Sequence, residues 1–309
     1  MKDNIFSRIY RQIPYLRELP RLNDSLSDAK RLLTTIQRQL ENQHSFGVIR
    51  FLDFDLANHP RYGDPKRLLR YAFQVCSQNG EDGMIHEIYK RIGATTKTFV
   101  EIGVGSGDEN NTAFLLSQGW RGFWMDGNPE FLSNIDARGW LTNGSIKGRQ
   151  AFVTKENVCS LLDELGTPTE VDLLSIDVDQ NTYYIWESLA RFRPRVVVVE
   201  YNSVLPPDVE WIVDYGPTTT WDGSHNFGAS LKSFELLGRR LGYYLVGCDF
   251  LGTNAFFVRE DLCGEKFCMP FSAENHYEPP RFGALCRRSH PARALDKCSQ
   301  KGSAKAQDK

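Results

Sequence analysis

The stretch that most constrains this chain is TKTFVEIGVGSGDENNTAFLLSQGWRGFWMDGNPE, Thr96 to Glu130. The apolar run Thr98–Ile102 predicts a buried strand, and Gly103, Gly105 and Gly107 predict a tight turn. A helix is expected from about Asn111 to Gln118, then a second strand over Gly122–Met125 that ends in an acid, Asp126. A strand, a glycine turn, a helix and a second strand commit the chain to an α/β sheet with a nucleotide-type site. Glycines let the backbone turn sharply and come close to a ligand. An acid after the second strand can accept both hydroxyls of a ribose.

Spacing narrows the nucleotide. A dinucleotide turn, G-x-G-x-x-G, needs its third glycine at position 108, which is Asp108. The chain instead reads Glu-x-Gly-x-Gly-x-Gly from Glu101, which resembles motif I of class I S-adenosylmethionine methyltransferases. That resemblance implies that Glu101, Gly103, Gly105 and Asp126 hold S-adenosylmethionine.

A net charge of −2 exerts no global pull on nucleic acid or anionic lipid, so neither is expected as a partner. The opening residues MKDNIFSRIYRQIPYLRELP carry no long apolar run, so no signal peptide or membrane span is expected. Seven cysteines without framework spacing fit a reducing compartment, and a cytoplasmic protein is expected. Irregular Cys and His spacing near the C-terminus argues against zinc.

Residues 1–70 read as a helical extension and linker, with Pro14 and Pro20 dividing the helical part into short pieces. Asn23 or Asp24 is the expected cap of a stripe formed by Leu26, Leu32, Leu33, Ile36 and Leu40. That stripe makes a docking helix or a homodimer contact. The core domain spans 71–262 and opens with SQNGEDGMIHEIYKRIG, a helix with Glu81 and Asp82 in its first turn and Gly93 as its stop. Gln78, Asn79 and Glu81 either cap it or reach the amino-acid end of the cofactor. A helix over Pro129–Arg138 and a third strand over Gln150–Val153 follow, then VCSLLDEL with Asn157 as cap. Val171–Ile176 and RVVVVE are the fourth and fifth strands, unbroken enough to be covered on both faces. A long loop to Gly228, a helix and an antiparallel strand pair complete the domain. The expected fold is α/β, a doubly wound, mostly parallel seven-stranded sheet with an antiparallel last strand. Residues 263–309 read as an irregular, basic, partly disordered tail.

Ligands in open α/β sheets sit beyond the carboxyl ends of the strands. Asp177, Asp179, Glu200 and Asn202 fall there, and so many buried acids need a partner. Asp177, Glu200 and Asn202 offer hard oxygens to Mg²⁺, an arrangement similar to that of catechol-type O-methyltransferases, though Tyr201 interrupts the pair. Asp177 also lies at the cofactor, and Asp179 faces the acceptor. His225, in the loop WDGSHNFGAS, is the expected catalytic base, because an alcohol must lose its proton as it is methylated. Trp211, Tyr215 and Trp221 offer flat faces to a sugar ring or pack the loop.

Together SQNGEDG, FVEIGVGSGDENNT, DLLSIDVDQNTY, VVVVEYN and FGASLKSFELLGRRLGYYLVGC…GTNAFFVRED resemble FkbM-type methyltransferases over about Tyr71 to Leu262. The resemblance implies O-methylation of a small polar acceptor, a carbohydrate or nucleotide-linked sugar of surface polysaccharide synthesis. The alternatives are a nicotinamide-dependent sugar oxidoreductase, which Asp108 disfavours, and a non-catalytic interaction protein on the same fold.

Overall fold

The computed structural model describes residues 14–50 and 58–282. By its internal packing the chain divides into two compact units, Met1–Arg50 and Phe51–Lys309. Residues 283–309 of the expected tail, with Cys286, His290 and Cys298, lie outside the described residues.

Among the described residues, the first unit is one helix, α1, Pro14–Arg50. Pro20 lies within it, so the short pieces expected from the prolines are replaced by one continuous element, and Asn23 and Asp24 are interior rather than caps. Leu19, Leu22, Leu26, Leu33, Ile36 and Leu40 are all exposed along it. With Ala29 they follow the alternating three-and-four spacing of a coiled-coil seam.

The second unit is built on a seven-stranded sheet in the order β3-β2-β1-β4-β5-β7-β6. Its strands are β1 Thr98–Ile102, β2 Arg121–Asp126, β3 Ile146–Gln150, β4 Leu173–Ile176, β5 Val196–Glu200, β6 Tyr243–Cys248 and β7 Asn254–Arg259. The first five run parallel, and β7 is inserted antiparallel between β5 and β6. Val196 to Val199 are completely buried, as an unbroken β-branched run in a two-sided sheet requires. Each such side chain contributes about 1.5–3 kcal/mol by leaving water. Apolar clusters lie on both faces, one around Ile185, Phe234 and Val199, the other around Ile88, Trp124 and Val198.

Helices α2 Glu81–Ile92, α3 Ala113–Ser117, α4 Phe131–Asp136, α5 Val158–Leu165, α6 Thr182–Ser188 and α7 Leu231–Leu241 cover the sheet. Helix α2 follows the sequence expectation: acids in the first turn, Lys90 and Arg91 in the last, and Gly93 after it. Short helices α8 Glu260–Cys263 and α9 Ala273–His276 follow β7. Residues 58–72 pack against this C-terminal segment through Tyr62, whose hydroxyl donates to Glu278 Oε2 at 2.8 Å, and through Arg67, which donates to the Asn275 carbonyl at 2.9 Å.

One strand is displaced from its expected place. Strand β3 is Ile146–Gln150, on the sheet edge, where only Ile146 is buried. The apolar AFV run of 151–153 follows it and lines a cleft instead. The sheet order and the antiparallel seventh strand are those of the class I methyltransferase, Rossmann-like fold.

Candidate active site

Two adjoining clefts open at the carboxyl ends of the parallel strands. One, of about 610 Å³, is lined by Asp126, Gly127, Ala151, Phe152, Val153 and Asp179, among others. The other, of about 660 Å³, is lined by Gln78, Glu81, Glu101, Gly105, Glu109 and Asn254, among others. Gly103 and Asp177 line both, so the two halves meet at the point between β1 and β4 where the strand order reverses. Among the described residues, no Lys or Arg lines either half.

The glycine turn makes this meeting point. Gly103 sits at φ +84°, and a Cβ there would lie 1.6 Å from the Asp177 carbonyl oxygen, so only glycine fits. Gly105, at φ +61°, donates its N–H to Asp126 Oδ2 at 2.7 Å, while Asn128 donates to Oδ1 at 2.7 Å. Asp126 is thereby fixed at the mouth of the first half, with part of its surface open.

Glu101 is almost wholly buried and holds the loop that follows the turn. Its Oε1 accepts the Asn111 N–H at 2.9 Å, and its Oε2 accepts the Thr112 N–H at 3.2 Å, the Thr112 hydroxyl and the Asn110 amide. Burial pushes its carboxyl up despite those bonds. Gln78 is exposed at the rim of the second half. The residues beside it do not cap α2 by side chain: Gly80, at φ +94°, occupies the cap position. Asp82 instead gathers the N–H groups of Val75, Cys76 and Ser77 on Oδ2 at 2.7–2.9 Å, folding that segment over the helix start.

Beyond the turn lie the acids of β4 and β5. Oxygens of Asp177, Asp179 and Glu200 all fall within 4.8 Å of one another, a hard-oxygen set that suits a divalent cation. Burial, with the Asp179 and Glu101 charges adding to it, pushes Asp177 up to about 7. Burial and the charges of Asp177 and Asp179 push Glu200 well above the carboxylate range. Glu200 Oε2 is buried with no hydrogen-bond partner. Asp179 sits at φ +51°, a left-handed conformation that most side-chain-bearing residues avoid but that aspartate adopts more readily than most.

Asn202 is not part of this group of acids. Its amide donates to the carbonyls of His225 at 2.8 Å and Phe227 at 3.0 Å, and its Oδ1 accepts from Val204. It therefore fixes the base of the 203–228 loop. Further ties come from the Ile212–Ala229 bridge, the Val213 N–H to the Gly228 carbonyl, and the Asn181 amide to the Gly216 carbonyl at 2.8 Å. Thr219 and Thr220 bring the loop to the first cleft. His225 is exposed and lines neither half. Trp221 is also exposed, and Tyr215 pairs with Glu156 beneath Lys155. The residue that sequence reasoning missed is Asn254, the first residue of β7, where nothing in the local pattern marks a site.

No family model matches the chain, and no curated protein matches it. Among solved structures it is similar to an S-adenosylmethionine-dependent methyltransferase from Clostridium acetobutylicum, at 12% identity and a TM-score of 0.36, over 57% of this chain and 89% of that one. It is also similar to the methyltransferase domain of a bacterial Hen1, at 15% and 0.35, over 58% and 97%. A third is TrmK from M. capricolum, solved with S-adenosylhomocysteine, at 14% and 0.34, over 56% and 65%. The FkbM-type resemblance is corrected: no family model matches the chain, and the sheet order is that of the generic class I methyltransferase fold.

Proposed function

We propose that this protein is an S-adenosylmethionine-dependent methyltransferase that methylates a hydroxyl of a small polar acceptor. The observation that carries the reading is the double cleft itself. It has an acid poised for a ribose at one side, acids and amides at the other, and no lining cation among the described residues. A pyrophosphate would meet only like charge there, whereas a sulfonium cofactor is drawn in. The same argument favours a free carbohydrate hydroxyl over a nucleotide-linked sugar.

In this reading Asp126 accepts the ribose hydroxyls, and Ala151, Phe152 and Val153 wall the base. When bound, the cofactor supplies an electrophilic methyl group. Positioning of the acceptor then supplies most of the acceleration. The acceptor oxygen would give its proton to the Asp177, Asp179 and Glu200 group, and a carboxylate pushed up to about 7 is matched to that task near neutral pH. His225 lies outside the clefts, so the trio is the better-placed base.

A second reading of the trio rests on the partnerless Glu200 Oε2. Asp177, Asp179 and Glu200 would hold Mg²⁺ in place of a shared proton, with Asn202 left to the loop. Calorimetric binding of Mg²⁺ to EDTA-treated protein, lost in Glu200→Gln, would establish it. Self-association through the α1 seam belongs to the same proposal, and sedimentation of the full chain against one starting at residue 51 tests it.

The test of the main reading is labelled-methyl transfer to a panel of free sugars and sugar nucleotides. Transfer to the former with release of S-adenosylhomocysteine supports it. Turnover of NADH with the same panel would replace it with the oxidoreductase.

A further inference from the structure

The second cleft half contains a polar pair that joins distant parts of the chain. Asn254, at the start of β7, donates its amide to Glu81 Oε1 at 2.8 Å, at the start of α2. Asn254 is 4% exposed and Glu81 1%, and both face the cleft. The Asn79 N–H fills Glu81 Oε2 at 2.7 Å, so the carboxylate is held rigidly. Two amide oxygens on this half have no partner: Asn254 Oδ1 and Asn110 Oδ1 are both buried and unbonded. A buried acceptor left without a donor is destabilising, so such an atom marks the place of a missing hydrogen-bond donor.

The surrounding charge says what kind of donor. Glu81, Glu101, Glu109 and Asp177 line this half, and no Lys or Arg does among the described residues. The complementary group brings several N–H donors and a positive charge. An ammonium has both, with three donors and no acceptor.

We infer that Glu81 and Asn254 form the seat of the cofactor's α-ammonium group. This rests on the methyltransferase reading and adds residues that the glycine motif does not contain. It also explains why α2 and β7 are cross-linked by a buried hydrogen bond at the cleft, where a merely structural pair would need no spare acceptor.

The experiment is calorimetric titration of the full chain with S-adenosylhomocysteine and with 5′-methylthioadenosine, which lacks the amino-acid end. Wild type, Asn254→Leu and Glu81→Gln are compared. Each substitution is expected to weaken S-adenosylhomocysteine at least about tenfold, the loss that goes with a hydrogen bond to a charged group. Binding of 5′-methylthioadenosine should stay within about twofold, which also shows that the variant is folded. Unchanged S-adenosylhomocysteine binding in both variants would overturn the inference and leave the cofactor reading intact. Equal loss of both ligands would overturn it as well, since the pair would then serve only to hold the cleft open. If wild type binds neither ligand, the methyltransferase reading itself fails.

Discussion

Strand β4 has an aspartate at each end, and the two are treated oppositely. Asp172, just before the strand, is fully buried and fully engaged. It accepts the N–H groups of Thr95, Thr96 and Lys97 at 2.7–2.9 Å and pairs with Arg195 at 3.3 Å. Burial pushes its carboxyl up, but the Thr95 and Thr96 hydrogen bonds outweigh it and hold Asp172 below its ordinary range. Asp177, just after the strand, faces Asp179 and Glu200 with no lining cation among the described residues, and is pushed up to about 7. One end is an anchor that closes the bottom of the sheet. At the other, like charges crowd together at the cleft, at some loss of stability. The acid at the lower end is saturated, and the acids at the upper end are left wanting a partner.

The largest effect is expected at the anchor. Asp172→Ala should lower unfolding stability by about 3–5 kcal/mol, because it strips the partners from three backbone N–H groups and takes the carboxylate from the half-buried Arg195. Urea unfolding measures this, and a loss under about 1 kcal/mol would mean that the lower end is not an anchor. The Asp172 contribution is fully present above the unfolded value near 3.8 and is lost as pH falls through the lower folded value.

At the upper end, Asp126→Ala should weaken S-adenosylhomocysteine by about 2–3 kcal/mol, through lost hydrogen bonds to a charged acceptor, while leaving urea stability within about 1 kcal/mol. Comparable losses in stability and binding would erase the distinction between the ends. The third effect is one of sign. With Asp177 raised from 3.8 to about 7, the unfolded chain releases its proton first, so stability falls as pH rises between those values. Asp177→Asn, measured in EDTA, should lessen that decline and gain on the order of 1–2 kcal/mol above pH 7. That is less than the roughly 4 kcal/mol that a fully enclosed carboxyl would give over the same pH range, because the cleft admits solvent. A steeper decline in the variant would contradict the assignment. The smallest effect is at His225, exposed and outside the clefts, where His225→Ala should leave the methyl-transfer rate within about twofold. A loss of a hundredfold or more would return the base to the loop.

The parts of the fold most legible in the chain are those where one physical rule acts alone. Strand β5 is an unbroken β-branched run, and α2 carries its charges and stop glycine at the proper ends, so both lie where the pattern puts them. Strand β3 misled because an edge strand needs no apolar run, while AFV owes its character to lining a cleft. At the candidate site, the turn at Gly103 and Gly105 and the placing of Asp126 at the end of β2 were legible because local backbone geometry governs them. Glu101, Asn202 and Asn254 were harder to assign, since a polar side chain at a strand end serves equally to hold a loop or a ligand. Only the partners it finds across the fold decide: Asn202 turns to the 225–227 carbonyls, and Asn254 to Glu81.

The measurement that bears most directly on the whole account is titration of the purified, EDTA-treated protein with S-adenosylhomocysteine beside NADH. Saturable binding of the sulfur nucleotide, none of NADH, and loss of the former in Asp126→Ala are the expected results. Binding of NADH alone, or of neither by a folded sample, would contradict the assignment of the double cleft to a sulfonium cofactor.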